Sequence, residues 1–376
     1  MKTNPLLIAL SPLALLLPSC GSSSVAQNAP EAASVPLRIE DKATFKEPWA
    51  MAFLPDGSAL ITEKAGALKW WREGGPMQNV AGVPKVDYGG QGGLGDVKPA
   101  PDFATSGTIY LTWVEAGPND TRGAVLGKGK LMLAGAPRIE GLAVIWRQVP
   151  KVDGRGHFSH RIAFSPDGHF LFLSSGERQK FSPAQDLKVN LGKVLRLTLD
   201  GKAAAGNPFV GKGGVSDEVW SYGHRNLLGL QFDASGRLWD LEHGPAGGDE
   251  LNLVEPGRNY GWPLVSDGDH YDGTPIPRHA TRPDLAAPAI SWNPVIAPGD
   301  FVFYSGDRFP AWKGQALIAG MGSMGLVRVA IEGQKAREVE RIALDQRIRE
   351  IRQGPDGAIW VLEDGETGRL RKITPR

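Results

Sequence analysis

HRIAFSPDGHFLFLSSGE, residues 160–177, is the stretch that decides the fold. Two short apolar runs flank Ser-Pro-Asp-Gly, and each has the length of a strand rather than a helix. The turn chemistry is explicit. Pro166 presets φ, Asp167 can bond its own backbone two residues on, and Gly168 is free to take positive φ. Working outward, the same strand–turn–strand unit recurs five more times. The copies are WAMAFLPDGSALITEK (49–64), GLGDVKPAPDFATSGTIYLTW (93–113), NLLGLQFDASGRLWDLEHG (226–244), GDFVFYSGDRFPAWKGQALIAG (299–320) and REIRQGPDGAIWVLEDG (349–365). Their turn markers are Asp56, Asp102, Asp167, Asp233, Asp307 and Asp356, at spacings of 46, 65, 66, 74 and 49 residues. Strand pairs at such a period predict an all-β chain, a propeller of four-stranded antiparallel blades around a central channel. Six copies predict six blades. A β-solenoid, or sandwiches with unrelated hairpins, are the alternatives.

Composition agrees with this reading. Glycine (49) and proline (29) make up roughly a fifth of 376 residues, against about 12% in an average chain. Lys plus Arg number 42 and Asp plus Glu 41, a net charge of +1. So even a balance argues against nucleic acid as a partner, which would need a basic surface. The single cysteine, Cys20, excludes internal disulfides and cysteine-based zinc sites.

The N-terminus reads as a targeting segment. Lys2 is the only charge before Glu31, and Leu6–Leu17 is apolar apart from Ser11 and Pro12. That run is too short and interrupted for a comfortable membrane span. Leu17-Pro-Ser-Cys20-Gly21 resembles a bacterial lipobox. The expectation is a lipoprotein signal over residues 1–19, lipid on Cys20, a flexible tether over 20–36 and one propeller domain over 37–376. The protein is then exported and periplasmic, held to a membrane through its N-terminal lipid only. An exported protein without lipid is the plainer alternative.

In a propeller, residues before the first strand and after the second strand of each hairpin converge on one face. The Pro-Asp-Gly turns occupy the other. The convergent positions are Trp49, Gln91, His157, His160, Arg161, Arg225, Asn226, Arg347 and Arg349, with Glu63, Glu177, Arg178, Glu242, His243, Gly244, Glu363 and Asp364. Arg225, Arg347 and Arg349 on one rim suit a multiply anionic ligand, because guanidinium pairs with carboxylate in a bidentate fork. The competing reading is a set of rim salt bridges between blades. The loop EHGPAGGDELNLVEPGRNYGWP (242–263) packs acids and free carbonyls together, as oxygen-ligated calcium requires, although its spacing is not that of an EF-hand.

Taken together, the motifs resemble those of the soluble pyrroloquinoline quinone (PQQ)-dependent aldose and glucose dehydrogenases. The resemblance spans nearly the whole mature chain. It rests on GQGGLGD (90–96), GHFSHRIAFSPDG (156–168), AQDL (184–187) with Gly192-Lys193, WSYGHRN (220–226), EHGPAGGDELN (242–252), NYGWP (259–263), WNPVIAPG (292–299) and RIREIRQGPDG (347–357). It implies a six-bladed propeller that oxidises the C1 hydroxyl of an aldose to the lactone and passes electrons to an unidentified acceptor. It implies His157 as the general base, with Arg225 and Asn226 at the reactive quinone edge. Gln91, Tyr271, Arg347 and Arg349 are implied as further PQQ contacts. Gly244 and Pro245 are implied as carbonyl ligands of a calcium beside PQQ, and Glu250 and Tyr260 as ligands of a second calcium.

The chain departs from the family pattern at three places. Gly322 stands where the family carries a lysine that contacts PQQ, and Arg178 is the candidate substitute. Asn190-Leu191 replaces the histidine before Gly192-Lys193. His160 replaces a small residue and is expected to narrow the pocket. His169 is expected to be solvated, and His279 carries no identifiable chemistry. Trp49, Trp70, Trp71 and Trp113 are read as blade core. Two other function classes remain open on the sequence: a calcium-dependent propeller hydrolase such as a lactonase, and a non-catalytic propeller that has lost PQQ.

Overall fold

The computed structural model describes residues 35–376. The signal, Cys20 and all but the last two residues of the tether lie outside the described residues. The chain forms six antiparallel sheets of four strands, one per blade. The innermost strands are Pro48–Phe53, Leu94–Pro99, Ser159–Phe164, Leu227–Phe232, Pro298–Phe303 and Ile348–Gln353. Successive innermost strands pack side by side, and the last packs on the first, so they ring a central channel.

The turns behave as their chemistry dictates. The Oδ1 atoms of Asp56, Asp167, Asp233 and Asp356 accept from the amides of Ser58, His169, Ser235 and Ala358, at 2.9–3.2 Å. In blades two and five the turn closes instead through a short helical piece, Phe103–Ser106 and Pro310–Trp312. Hydrophobic cores lie between blades, as in the cluster of Leu60, Leu94, Val97, Leu111 and Val125 shared by blades one and two. The second strand of each blade is apolar throughout or nearly so because both its faces are covered.

Two features escape the hairpin pattern. Blade six takes its outer strand from the N-terminus. Leu37–Phe45 pairs with Gly368–Pro375, from Leu37 opposite Pro375 to Phe45 opposite Gly368. The ring is thereby closed by backbone hydrogen bonds between the two chain ends. Second, every innermost strand slips register by one residue at its first turn, as between Pro48 and Ala50, Ser159 and Ile162, or Ile348 and Glu350. These β-bulges re-aim side chains into the channel. Trp49, His160, Leu228 and Arg349 all come from bulges, and together they floor one cleft.

Candidate active site

The cleft has a volume of about 280 Å³ and opens at the channel mouth opposite the Pro-Asp-Gly turns. Gln91, Asn226 and Arg347 line it above the floor, and Lys64 enters from the side. His157 adjoins it through Gln91, whose Oε1 accepts from the His157 amide at 2.7 Å. The imidazole is fixed on its other side, where Nδ1 lies 2.5 Å from Glu177 Oε1. Glu177 is itself pinned, since its Oε2 accepts from the amides of Lys180 (2.6 Å) and Phe181 (2.7 Å). Nδ1 is therefore the protonated nitrogen, and Nε2 is left for a substrate. Burial holds the His157 pKa below its usual value and outweighs the upward pull of Glu177, so the ring is neutral at pH 7. The backbone here is strained. His157, Ser159 and His160 all have φ between 51° and 59°, and Arg178, Gln179 and Phe181 between 58° and 63°.

Arg225 donates to the His243 carbonyl (3.0 Å) and the Tyr271 hydroxyl (3.2 Å), and lies against the Trp262 ring. Its buried Nε has no hydrogen-bond partner, and no carboxylate forms an ion pair with its side chain among the described residues. Asn226 accepts from Ser159 Oγ at 3.3 Å and lines the cleft. Tyr271 is 78% exposed at the mouth. Arg347 and Arg349 do not stand free, because both pair with Asp364, at 2.9 and 2.7 Å. The rim salt bridge thus exists, but within blade six, and two guanidiniums on one carboxylate leave one cation in excess. Together with Arg225 this makes the mouth suited to a polyanion such as PQQ.

Behind Arg225 lies a second cleft that includes Glu242, Gly244, Glu250 and Tyr260. Gly244 must be glycine, since a Cβ would sit 2.2 Å from the Gly247 carbonyl. Its amide donates to Asp249 Oδ1, while the Gly244 and Pro245 carbonyls accept no hydrogen bond among the described residues. Asp240, Glu242 and Glu250 are buried around the Asn252 amide, which lies 3.1–3.4 Å from all three. Burial, reinforced by neighbouring carboxylates, drives the Asp240 pKa well above its usual range, and burial raises that of Glu250. Asp240 Oδ2 and Asn252 Oδ1 are buried without partners. His224 Nδ1 lies 3.2 Å from Glu242 and 3.5 Å from Asp240, and this buried group of carboxylates with an imidazole has the donors to hold a cation such as calcium. The Tyr260 phenol is committed to the Leu253 carbonyl and the Glu255 amide, so Tyr260 has its main-chain oxygen to offer.

Several expectations need correction. Arg178 is no substitute for the missing lysine. It is buried under the rim, donating to the carbonyls of Gly156, Arg122 and Gly154 and stacking on Phe158. The additional cation in the cleft is Lys64, which the sequence reading did not single out. Position 322 is closed to a long side chain, with a Cβ 2.9 Å from the Ile296 carbonyl. Arg161 is absent from the rim and lies beneath the floor. Trp49 is channel lining rather than blade core. His279 is buried with Nε2 3.1 Å from Glu250, so it belongs to the acid cluster. His160 does line the cleft, stacked on Trp49 at 5.1 Å. Asn190 fills its place by accepting from the Val149 amide. The sequence motifs assign no role to Glu177. Its position directly after a second strand, level with His157 across the hairpin, was the available signal.

The family model for glucose/sorbosone dehydrogenases matches residues 45–372. The chain belongs to the glucose/sorbosone dehydrogenase family. It is 39% identical over 370 residues to the aldose sugar dehydrogenase YliI of Escherichia coli, covering 96% of this chain and 98% of that one. A crystal structure of a glucose dehydrogenase superposes with a TM-score of 0.85 at 41% identity, covering 89% of this chain and 99% of the other. The PQQ-bound form of an aldose sugar dehydrogenase from Streptomyces coelicolor superposes with a TM-score of 0.72 at 25% identity, covering 91% and 100%. As a member of this family the protein is an oxidoreductase.

Proposed function

We propose that this protein oxidises the C1 hydroxyl of aldoses to the lactone with PQQ as the electron acceptor in the cleft. The observation that carries this is the neutral, Glu177-oriented His157 beside a mouth bearing unneutralised guanidinium. Gln91, Arg225, Asn226, Tyr271, Arg347 and Arg349 would hold the quinone and its carboxylates. PQQ, when bound, would supply the two-electron acceptor for the C1 hydride. His157 Nε2 takes the hydroxyl proton as that hydride leaves, and Glu177 stabilises the imidazolium that forms. Arg225 and Asn226 place donors where negative oxygen develops. Calcium would be held by the Gly244 and Pro245 carbonyls at one position, and by Glu250 and the Tyr260 carbonyl at another. Export and a lipid on Cys20 follow from the N-terminal sequence.

A propeller lactonase would set several carboxylates or amides directly around a channel cation. Here the acids lie behind Arg225 and the channel mouth carries guanidinium, which favours the dehydrogenase. The test is to reconstitute the protein lacking residues 1–19 with calcium and PQQ and to follow dye reduction across a panel of aldoses. No sugar-dependent reduction by protein with demonstrated PQQ binding overturns the proposal. Lactone hydrolysis without PQQ would support the hydrolase instead.

A further inference from the structure

Beneath the cleft floor one buried side chain meets every blade of the ring. Arg161, from blade three, is 2% exposed. Its Nε donates to the Leu228 carbonyl of blade four at 2.8 Å. Its Nη2 donates to the Gly299 carbonyl of blade five at 3.0 Å, and Nη1 to Glu350 of blade six at 2.7 Å. Nη1 also lies 3.7 Å from Asp96 of blade two and 3.6 Å from Asp300. The guanidinium carbon is 4.0 Å from the ring centre of Trp49, in blade one. Leu228 and Gly299 are bulge positions, and Trp49 is the bulge residue of its own strand. Arg161 therefore contacts the floor of the cleft in blades one and four, at Trp49 and Leu228, without itself entering the cleft.

We propose that Arg161 is a positioning residue for the cofactor cleft: it fixes the floor, Trp49 above all, at the height and tilt on which the cofactor rests. This rests on the PQQ reading above. The chemistry needs arginine. Three acceptors in three directions and a flat aromatic partner match a planar five-donor fork with an open π-face. Lysine would keep the charge but present a single point. Arg352 reinforces the arrangement from the side, donating to the Met51 carbonyl at 2.9 Å and pairing with Glu350 at 2.6 Å.

The experiment compares the parent with Arg161→Lys, using calcium-loaded protein for PQQ titration by visible absorbance and cofactor-free protein for acrylamide quenching. Because the chain has 11 tryptophans, the Trp49 signal is taken as the difference between each protein and its Trp49→Phe counterpart. At a temperature where circular dichroism shows both folded, Arg161→Lys should raise the PQQ Kd at least tenfold. It should expose Trp49 to the quencher and leave the KM for sugar at saturating PQQ within twofold. Equal Kd and equal quenching would overturn the proposal and leave Arg161 a mere tie between blades. If the parent itself fails to bind PQQ, the proposed function falls, and the quenching comparison alone decides the positioning role. If Arg161→Lys does not fold, the double variant Arg161→Gln with Glu350→Gln removes one charge of each sign. It then carries the same expectations and the same refuting outcome.

Discussion

Replacing Glu177 by glutamine should cripple the enzyme by more than the loss of a charge. The carboxylate accepts three hydrogen bonds: two loop amides on Oε2 and His157 Nδ1 on Oε1. Glutamine has one acceptor oxygen. If that oxygen serves the loop amides, its NH₂ faces Nδ1, which must then accept, and the ring proton moves to Nε2. The base is then blocked by its own proton. Losing a buried charge-assisted hydrogen bond costs about 1.5–3 kcal/mol, roughly 10- to 150-fold in rate. A wrong tautomer extends such losses to about 10⁴-fold in the serine protease triad. The expected fall in kcat is therefore about 10² to 10⁴, with the PQQ Kd little changed. The assay is steady-state dye reduction with saturating aldose, together with the pH profile of kcat/KM. Glu177 pulls the His157 pKa upward. Any residual activity of Glu177→Gln should therefore keep its neutral base to lower pH, and the acid limb should move down. Folded Glu177→Gln with kcat within threefold of the parent, or an acid limb shifted upward, would refute the reasoning.

Four further outcomes follow from the geometry. Arg349→Ala should weaken PQQ binding by about tenfold or more, one charge-assisted contact, whereas Asp364→Asn should tighten it at low salt by releasing two guanidiniums, both read by titration. Asp240 and Glu250 have raised pKa values in the fold, so the folded state binds more protons than the unfolded one, and stability should fall as pH rises. Chelator-treated protein should lose melting temperature from pH 5 to 8 and calcium should flatten that slope; a flat profile without calcium would count against a cation site there. Gly95→Ala places a Cβ 1.9 Å from the His160 ring, so it should cost about 1–3 kcal/mol of stability by overpacking and displace His160 from Trp49, visible as a lower melting temperature.

Much of the architecture was legible because propeller blades are local objects. A turn such as Ser165–Gly168 sets φ and its own hydrogen bonds within a few residues; four blades close on such a turn and two on a short helical piece, and the six hairpins count six blades. The site was legible to the extent that hairpin geometry sends strand starts and ends to one face: Asn226, Arg347 and Arg349 line one cleft, His157 adjoins it through Gln91, and Arg225 lines the second cleft. What failed was the assumption that a residue beside a strand start points at the mouth. The bulge at Ser159–Ile162 turns His160 to the cleft and sends Arg161 below it. Arg178, one residue past Glu177, turns under the rim to satisfy three carbonyls.

The blade count, the face that carries function and the residue types at the mouth can be read from the sequence, since each is written in short local runs. Only the tertiary structure decided how the ring closes and which charges are free. Leu37 meets Pro375, and Arg161 meets Glu350 across 189 positions of chain. The partner of a buried charge is set by desolvation in three dimensions, and nothing in the spacing of the residues encodes it.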